Sequence, residues 1–221
     1  MSTNPWLTID RSAAPFVAGS DIERLQVYSA SRRGKSVNHQ LNLTVVPEPW
    51  CGPLLAAAVV VLSGNPHWDE RDESLPEVAY ERMWENLSGE RSMFWLDPDL
   101  LGTTGSEWYR TRLLKNVLEH CEPQAVAARV ALVDFIGYRS HQWDHSLRLP
   151  SQEFTVQAVR EVMRRGGVIV LSRGRAPWFS LIPELVNYRH LFINSSPQQV
   201  RLSPNNTSPE GFDAIVTAMQ Q

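Results

Sequence analysis

Lysine is nearly missing from this 221-residue chain: Lys35 and Lys115 are the only two, against 19 Arg. Cysteine is as scarce. Cys51 and Cys121 stand alone, which excludes a disulfide scaffold and any site with four Cys ligands, such as an iron–sulfur cluster. The longest apolar run, Leu54 to Leu62, is too short to span a bilayer. Met1 to Pro5 has no basic start leading into an apolar stretch, so no signal peptide is read and the cytoplasm is the expected address. There is no glycine-rich loop followed by Lys and Ser/Thr, and no GxSxG elbow, so P-loop and nucleophile-elbow chemistry are not expected. His141 and His145 stand four apart, but they lack an HExxH context and a nearby Cys or third His. No metal and no cofactor is expected.

What is present suits one domain with an appended arm. Hydrophobic residues make up 43%, enough for a sizeable core, and charged residues 20%, so wholesale disorder is not expected. Net charge is −3 but unevenly spread. Between Arg129 and Arg201 there are 10 Arg and 5 acidic residues, a local balance of +5, while the remainder sums to −8. Such asymmetry permits a polyanion on one face, and arginine holds phosphate by planar, bidentate hydrogen bonding. A coding bias toward arginine is the alternative source.

Residues 1–46 mix Pro, Ser, Asn and short apolar pieces, with one helix over 21–29, and read as an arm packed on the domain formed by 47–221. Pro47 to Pro53, with three Pro and a Gly, reads as a loop. Leu55 to Leu62 is apolar on both faces, the pattern of a central parallel strand. Arg129 to Phe135, Val168 to Leu171 and Leu191 to Ile193 read as further strands. Helices are predicted over 77–87, 106–120, 151–165 with Ser151 as N-cap, most of 176–188, and 208–219 capped by Ser208. The alternation predicts a three-layer α/β/α fold with a short, mostly parallel four-stranded sheet.

Open α/β sheets place ligands beyond the carboxyl ends of their strands. Two strand-end loops stand there, Leu62-Ser63-Gly64-Asn65-Pro66-His67-Trp68 and Phe192-Ile193-Asn194-Ser195-Ser196-Pro197. This pair around an alternating core resembles the uracil-DNA glycosylase superfamily. Its first motif reads GQDPYH in the uracil enzymes and GINPG in the mismatch branch; its last reads HPSPLS or NPSGLS. In that register Asn65 takes the place of the water-positioning Asp or Asn, and Pro66 matches the shared Pro. Asn194, Ser196 and Pro197 match the closing motif. Ser63 departs from a family Gly, Ser195 from a Pro, and His67 from a Gly or Tyr. Taken singly, both loops also read as ordinary Asn-Pro and Ser-Pro turns.

The resemblance implies that Asn65 and Asn194 are catalytic, with Ser195 and Ser196 pinning the DNA backbone. Arg139, Arg173, Arg175 and Arg201, from the basic half, are the expected phosphate contacts. The family's base reader is an Asn at a strand end, and the matching position here is Asp134. An ionised Asp only accepts hydrogen bonds, so it suits the amino group of cytosine and repels uracil O4. Trp68, Phe94 and Trp95 are the candidates for stacking on a flipped base, with His67 beside them; core packing is the other fate open to these aromatics. The implied activity is a monofunctional DNA glycosylase. It would act on double-stranded DNA as a monomer with no membrane partner, and would remove a modified pyrimidine such as glucosylated hydroxymethylcytosine in phage DNA. The alternatives are a housekeeping uracil or mismatch glycosylase, a nucleic-acid-binding module without chemistry, and a small-molecule enzyme.

Overall fold

The structure, a computed structural model, describes residues 3–71 and 75–220. Its sheet has five strands: β1 (Trp50–Cys51), β2 (Val59–Ser63), β3 (Val130–Asp134), β4 (Val168–Leu171) and β5 (Leu191–Ile193). Their order is β1-β3-β2-β4-β5. The four expected strands are present and mutually parallel, but β1 runs antiparallel along β3, so the sheet is mixed and not four-stranded. The extra strand lies inside the proline-rich segment expected to be a loop. Proline is tolerated there because a two-residue edge strand needs few donors. Pro49 contributes its carbonyl, accepting from the Asp134 amide at 3.0 Å. Gly52, at φ +108°, ends the pairing where a Cβ would come within 2.3 Å of the Val130 carbonyl oxygen.

Residues of β2, β3 and β4 are buried at every position, as their β-branched, two-sided apolar composition requires. Chain order makes β2 the first parallel strand, β3 its neighbour on one side and β4 its neighbour on the other. The crossovers leaving β2 and β3 therefore run in opposite directions. Right-handed crossovers then place the helices between β2 and β3 on one face and those between β3 and β5 on the other. The gap where direction reverses lies at the carboxyl end of β2.

The helices are α1 (Ile22–Ala30), α2 (Glu77–Asn86), α3 (Thr104–Trp108), α4 (Lys115–Leu118), α5 (Pro123–Arg129), α6 (Gln152–Arg164), α7 (Arg175–Leu181), α8 (Pro204–Thr207) and α9 (Pro209–Gln220). The single helix expected over 106–120 is interrupted by a π turn at Tyr109–Leu113. Leu113, at the end of that turn, and Leu114, just after it, are both fully buried. Ser151 does not cap α6 with its side chain; its backbone N–H instead donates to Asp21 Oδ1 at 2.9 Å. Ser208 does cap α9, its hydroxyl accepting from the Gly211 amide at 3.1 Å. The stretch after α7 continues as a 3₁₀ turn, Pro183–Asn187.

The N-terminal segment is stitched to the domain by buried groups. Trp6 packs its ring against Trp50 and Tyr138. The Tyr138 hydroxyl donates to Asp21 Oδ2 at 2.8 Å and accepts from the Ala18 amide at 3.1 Å. Asn42 forms a bridge to Arg139, and the residues just before it reach the sheet's carboxyl end. Tyr138→Phe strips a donor from the buried Asp21 carboxylate and an acceptor from Ala18. It is expected to lower stability by about 1–3 kcal/mol, read as a lower urea midpoint at unchanged slope; an unchanged midpoint would show that the arm does not depend on this contact.

Candidate functional site

The parallel register sets Ser63 directly against Asp134. Side chains alternate along a strand, and Leu132, Asp134 and Ser63 all line one cleft of about 930 Å³ over the carboxyl end of β2 and β3. Asp134 forms its floor. It is 3% exposed, and its Oδ1 has no hydrogen-bond partner among the described residues. Burial, and then the negative charge of Glu48, push its carboxyl well above the ordinary carboxylate range; the Ser63 hydroxyl and the charges of Arg173 and Arg139 oppose the shift. The direction favours the protonated acid. A neutral carboxyl both donates and accepts, unlike the ionised, accept-only Asp134 expected from the sequence.

Glu48 enters because β1 delivers the residues just before it to the edge of β3. It forms a buried ion pair with Arg139 at 2.8 Å and accepts from the Trp95 indole N–H at 2.9 Å. The Tyr109 hydroxyl lies 3.5 Å from the same carboxylate. Burial pushes the Tyr109 phenol and the Cys51 thiol up as well, so both keep their protons. Arg139 also donates to the His67 carbonyl at 3.1 Å, which ties the floor to the leading loop.

Asn65 sits half-buried on the cleft wall. Its Nδ2 donates to the Ser140 carbonyl and hydroxyl, both at 3.0 Å, and to the Pro66 carbonyl at 3.1 Å. Three acceptors around the nitrogen set the amide orientation and leave Oδ1 as the atom that can accept from a ligand. Trp143 closes the same wall. Its indole lies where a Cβ on Gly64 would approach within 2.7 Å and one on Gly174 within 2.6 Å, so the turns after β2 and β4 must be glycine to seat it.

Of the residues singled out from the sequence, the fold gathers Asn65, Asp134, His67, Trp95, Arg139 and Arg173 around the cleft. Trp95 is a buried wall, its face against Gly105 and its N–H engaged by Glu48. Phe94 is fully buried and Trp68 is half-buried against the core; neither lines the cleft. Asn194 also lies off it, buried, with Nδ2 3.3 Å from the Ser172 hydroxyl and Oδ1 unpartnered. Ser195 and Ser196 are held by Asn206, through the Ser195 hydroxyl and the Ser196 amide. Arg139 is an interior ion-pair partner, a role set by Glu48, and is not a surface phosphate contact. Arg175 lies over the Phe179 ring, outside the cleft. Arg201 donates to the Thr111 carbonyl at 3.3 Å. His141 and His145 do not share a helix face: one ring meets His67, the other Trp143. Among the described residues no group of three or more His, Cys, Asp or Glu is arranged to hold a metal.

Glu48, Ser63, Tyr109 and Trp143 were missed in the sequence. A lone acid inside the otherwise apolar 45–51 stretch was the available signal for Glu48. Trp143, 78 positions after Asn65 in the chain, gave none.

Comparison of the chain with protein-family models, curated proteins and solved structures finds no match.

The raised pKa of Asp134 fixes a sign. Its folded form binds the proton more tightly than the unfolded chain, where the ordinary value is near 3.8. The stability it confers is complete below that value and is lost as pH rises through the folded-state pKa. Asp134→Asn cannot ionise. It is expected to gain on the parent as pH is raised from about 4, by about 1.4 kcal/mol per unit of the upward shift. Denaturant midpoints across a pH series test this, and a difference that does not vary with pH contradicts it.

Proposed function

We propose that the protein is a monofunctional DNA glycosylase that receives a flipped, modified cytosine in the cleft and hydrolyses its N-glycosidic bond. One observation carries the reading: a tethered carboxamide, Asn65, and a buried carboxyl with an unpartnered oxygen, Asp134, share one cavity at the sheet's switch point. The Ser63–Asp134 pair offers a donor and an acceptor side by side. That matches the N3 acceptor and N4 amino donor on the edge of cytosine. The cavity volume is near the upper end of the ~300–1,000 Å³ typical of small-molecule sites, which favours a base with a bulky substituent such as a glucosylated hydroxymethyl group. His67, His141 and Gln142 on the wall suit its hydroxyls. A substrate of that kind fits defence against phage DNA.

Bond cleavage builds positive charge on the sugar and negative charge on the base. A neutral Asp134 stabilises the departing base through a hydrogen bond that strengthens as charge develops. Asn65 Oδ1 accepts from a water and orients it toward C1′. An amide is a poor base, so positioning and leaving-group stabilisation supply the acceleration. Asn194, off the cleft, has no part in this scheme.

Mass spectrometry of bases released from genomic DNAs carrying cytosine, hydroxymethylcytosine or its glucosylated form tests the proposal. Release of the modified base is expected. Strong release of uracil opposite guanine favours a repair enzyme instead, and release of no base removes the proposal. Asn65→Ala is expected to slow excision by at least about 10²-fold while DNA binding persists. The rate should fall as pH rises through the Asp134 pKa, and this dependence should vanish in Asp134→Asn. Neither Lys35 nor Lys115 lines the cleft, so borohydride is expected to trap no covalent complex with DNA; efficient trapping would mean an amine nucleophile and a different mechanism.

A further inference from the structure

A second hollow, of about 370 Å³, opens beside the cleft. Its walls include Trp108, Arg112, Arg173, Gln198, Gln199 and Arg201, and it shares Trp108, Arg112 and Arg173 with the cleft. Three guanidinium groups surround it and no carboxylate does. Arg173 Nε donates to the Pro197 carbonyl at 3.0 Å, and Arg201 to the Thr111 carbonyl. The Arg112 side chain, exposed on the π turn, forms no hydrogen bond or ion pair with a described residue. None of the three forms an ion pair with a described carboxylate. Other arginines here do: Arg33 with Asp144, Arg71 with Asp69, Arg160 with Glu184, Arg164 with Glu161. Three cations without an ion-pair partner lining one hollow give it a positive potential that favours an anion. Arginine's planar fork fits phosphate oxygens, and the amides of Gln198 and Gln199 add neutral donors.

We propose that this hollow binds a phosphate, and that its occupant is the backbone phosphate next to the flipped nucleotide. The placement next to that nucleotide rests on the base-excision reading; the anion site itself does not. The shared wall sets the distance: Trp108 and Arg112 face both cavities, so a strand with one base in the cleft passes its neighbouring linkage over the hollow. Both Tyr109, which lines the cleft, and Arg112, which lines cleft and hollow, belong to the π turn.

The test uses a duplex with a tetrahydrofuran abasic analogue, titrated by fluorescence anisotropy over a range of KCl concentrations. Arg112→Ala and Arg201→Ala are each expected to lower the slope of log K against log salt by about 1. Arg189→Ala, exposed and outside both cavities, should leave the slope unchanged. A neutral methylphosphonate at the linkage beside the analogue should weaken the parent and leave Arg112→Ala unaffected. Equal losses in all three variants, or unchanged slopes, overturn the site. Inorganic phosphate that binds the parent but not Arg112→Ala, without displacing the duplex, identifies a lone phosphate as the ligand and overturns the backbone assignment. Altered slopes without base release keep the hollow and remove the glycosylase reading. Base release with unaltered slopes does the reverse.

Discussion

The ion pair between Glu48 and Arg139 holds this architecture together at its functional end. Glu48 precedes the edge strand, and Arg139 lies in the loop after β3. The same arginine reaches the carbonyl of His67 in the loop after β2, and its own carbonyl accepts from Asn42 in the N-terminal segment. The guanidinium thus joins Glu48 to the loop after β2, and the backbone of the same residue holds the N-terminal segment. A buried pair of this kind contributes little net stability against an apolar substitute, but removing one partner strands a charge and costs about 3–5 kcal/mol. Its value lies in specifying where the segments sit.

That arrangement has an electrostatic consequence. A second carboxyl, Asp134, is forced to share the interior with Glu48. Only one of the two has a guanidinium at ion-pair distance, and the other is driven toward its neutral form. An ion-paired carboxylate beside a buried carboxyl without a guanidinium partner is a usual basis for dividing anion and acid roles within one site. The cavity thus sets a buried carboxyl, biased toward its protonated form, beside an amide whose nitrogen Ser140 holds.

The strands β2 to β4 were legible because two-sided burial leaves an apolar run rich in β-branched residues, β5 as a short apolar run before a turn, and Asn65 and Asp134 because they stand at or just past the ends of such runs. The edge strand was not. Trp50 and Cys51 sit among prolines, and only the free edge of β3 gives them a partner. The break in the 106–120 helix was hidden because the spacing of Tyr109, Leu113 and Val117 fits a regular helix, and the π turn at Tyr109–Leu113 leaves all three buried. Phe94 and Trp68 look like stacking residues by composition, yet core packing claimed one and partly claimed the other. The closing motif lies at the end of an edge strand, where Asn206 holds the serines away from the cleft.

The sequence by itself determined the alternating α/β order, the positions of the parallel strands and the placement of polar residues at their carboxyl ends, because these follow from local periodicity and the chemistry of turns. Tertiary structure alone decided which of those residues share a cavity, that Asp134 lies within the field of a second carboxyl, and that three arginines line one hollow without an ion-pair partner among the described residues. Those properties depend on register and on through-space distance between segments far apart in the chain, and no local pattern encodes either.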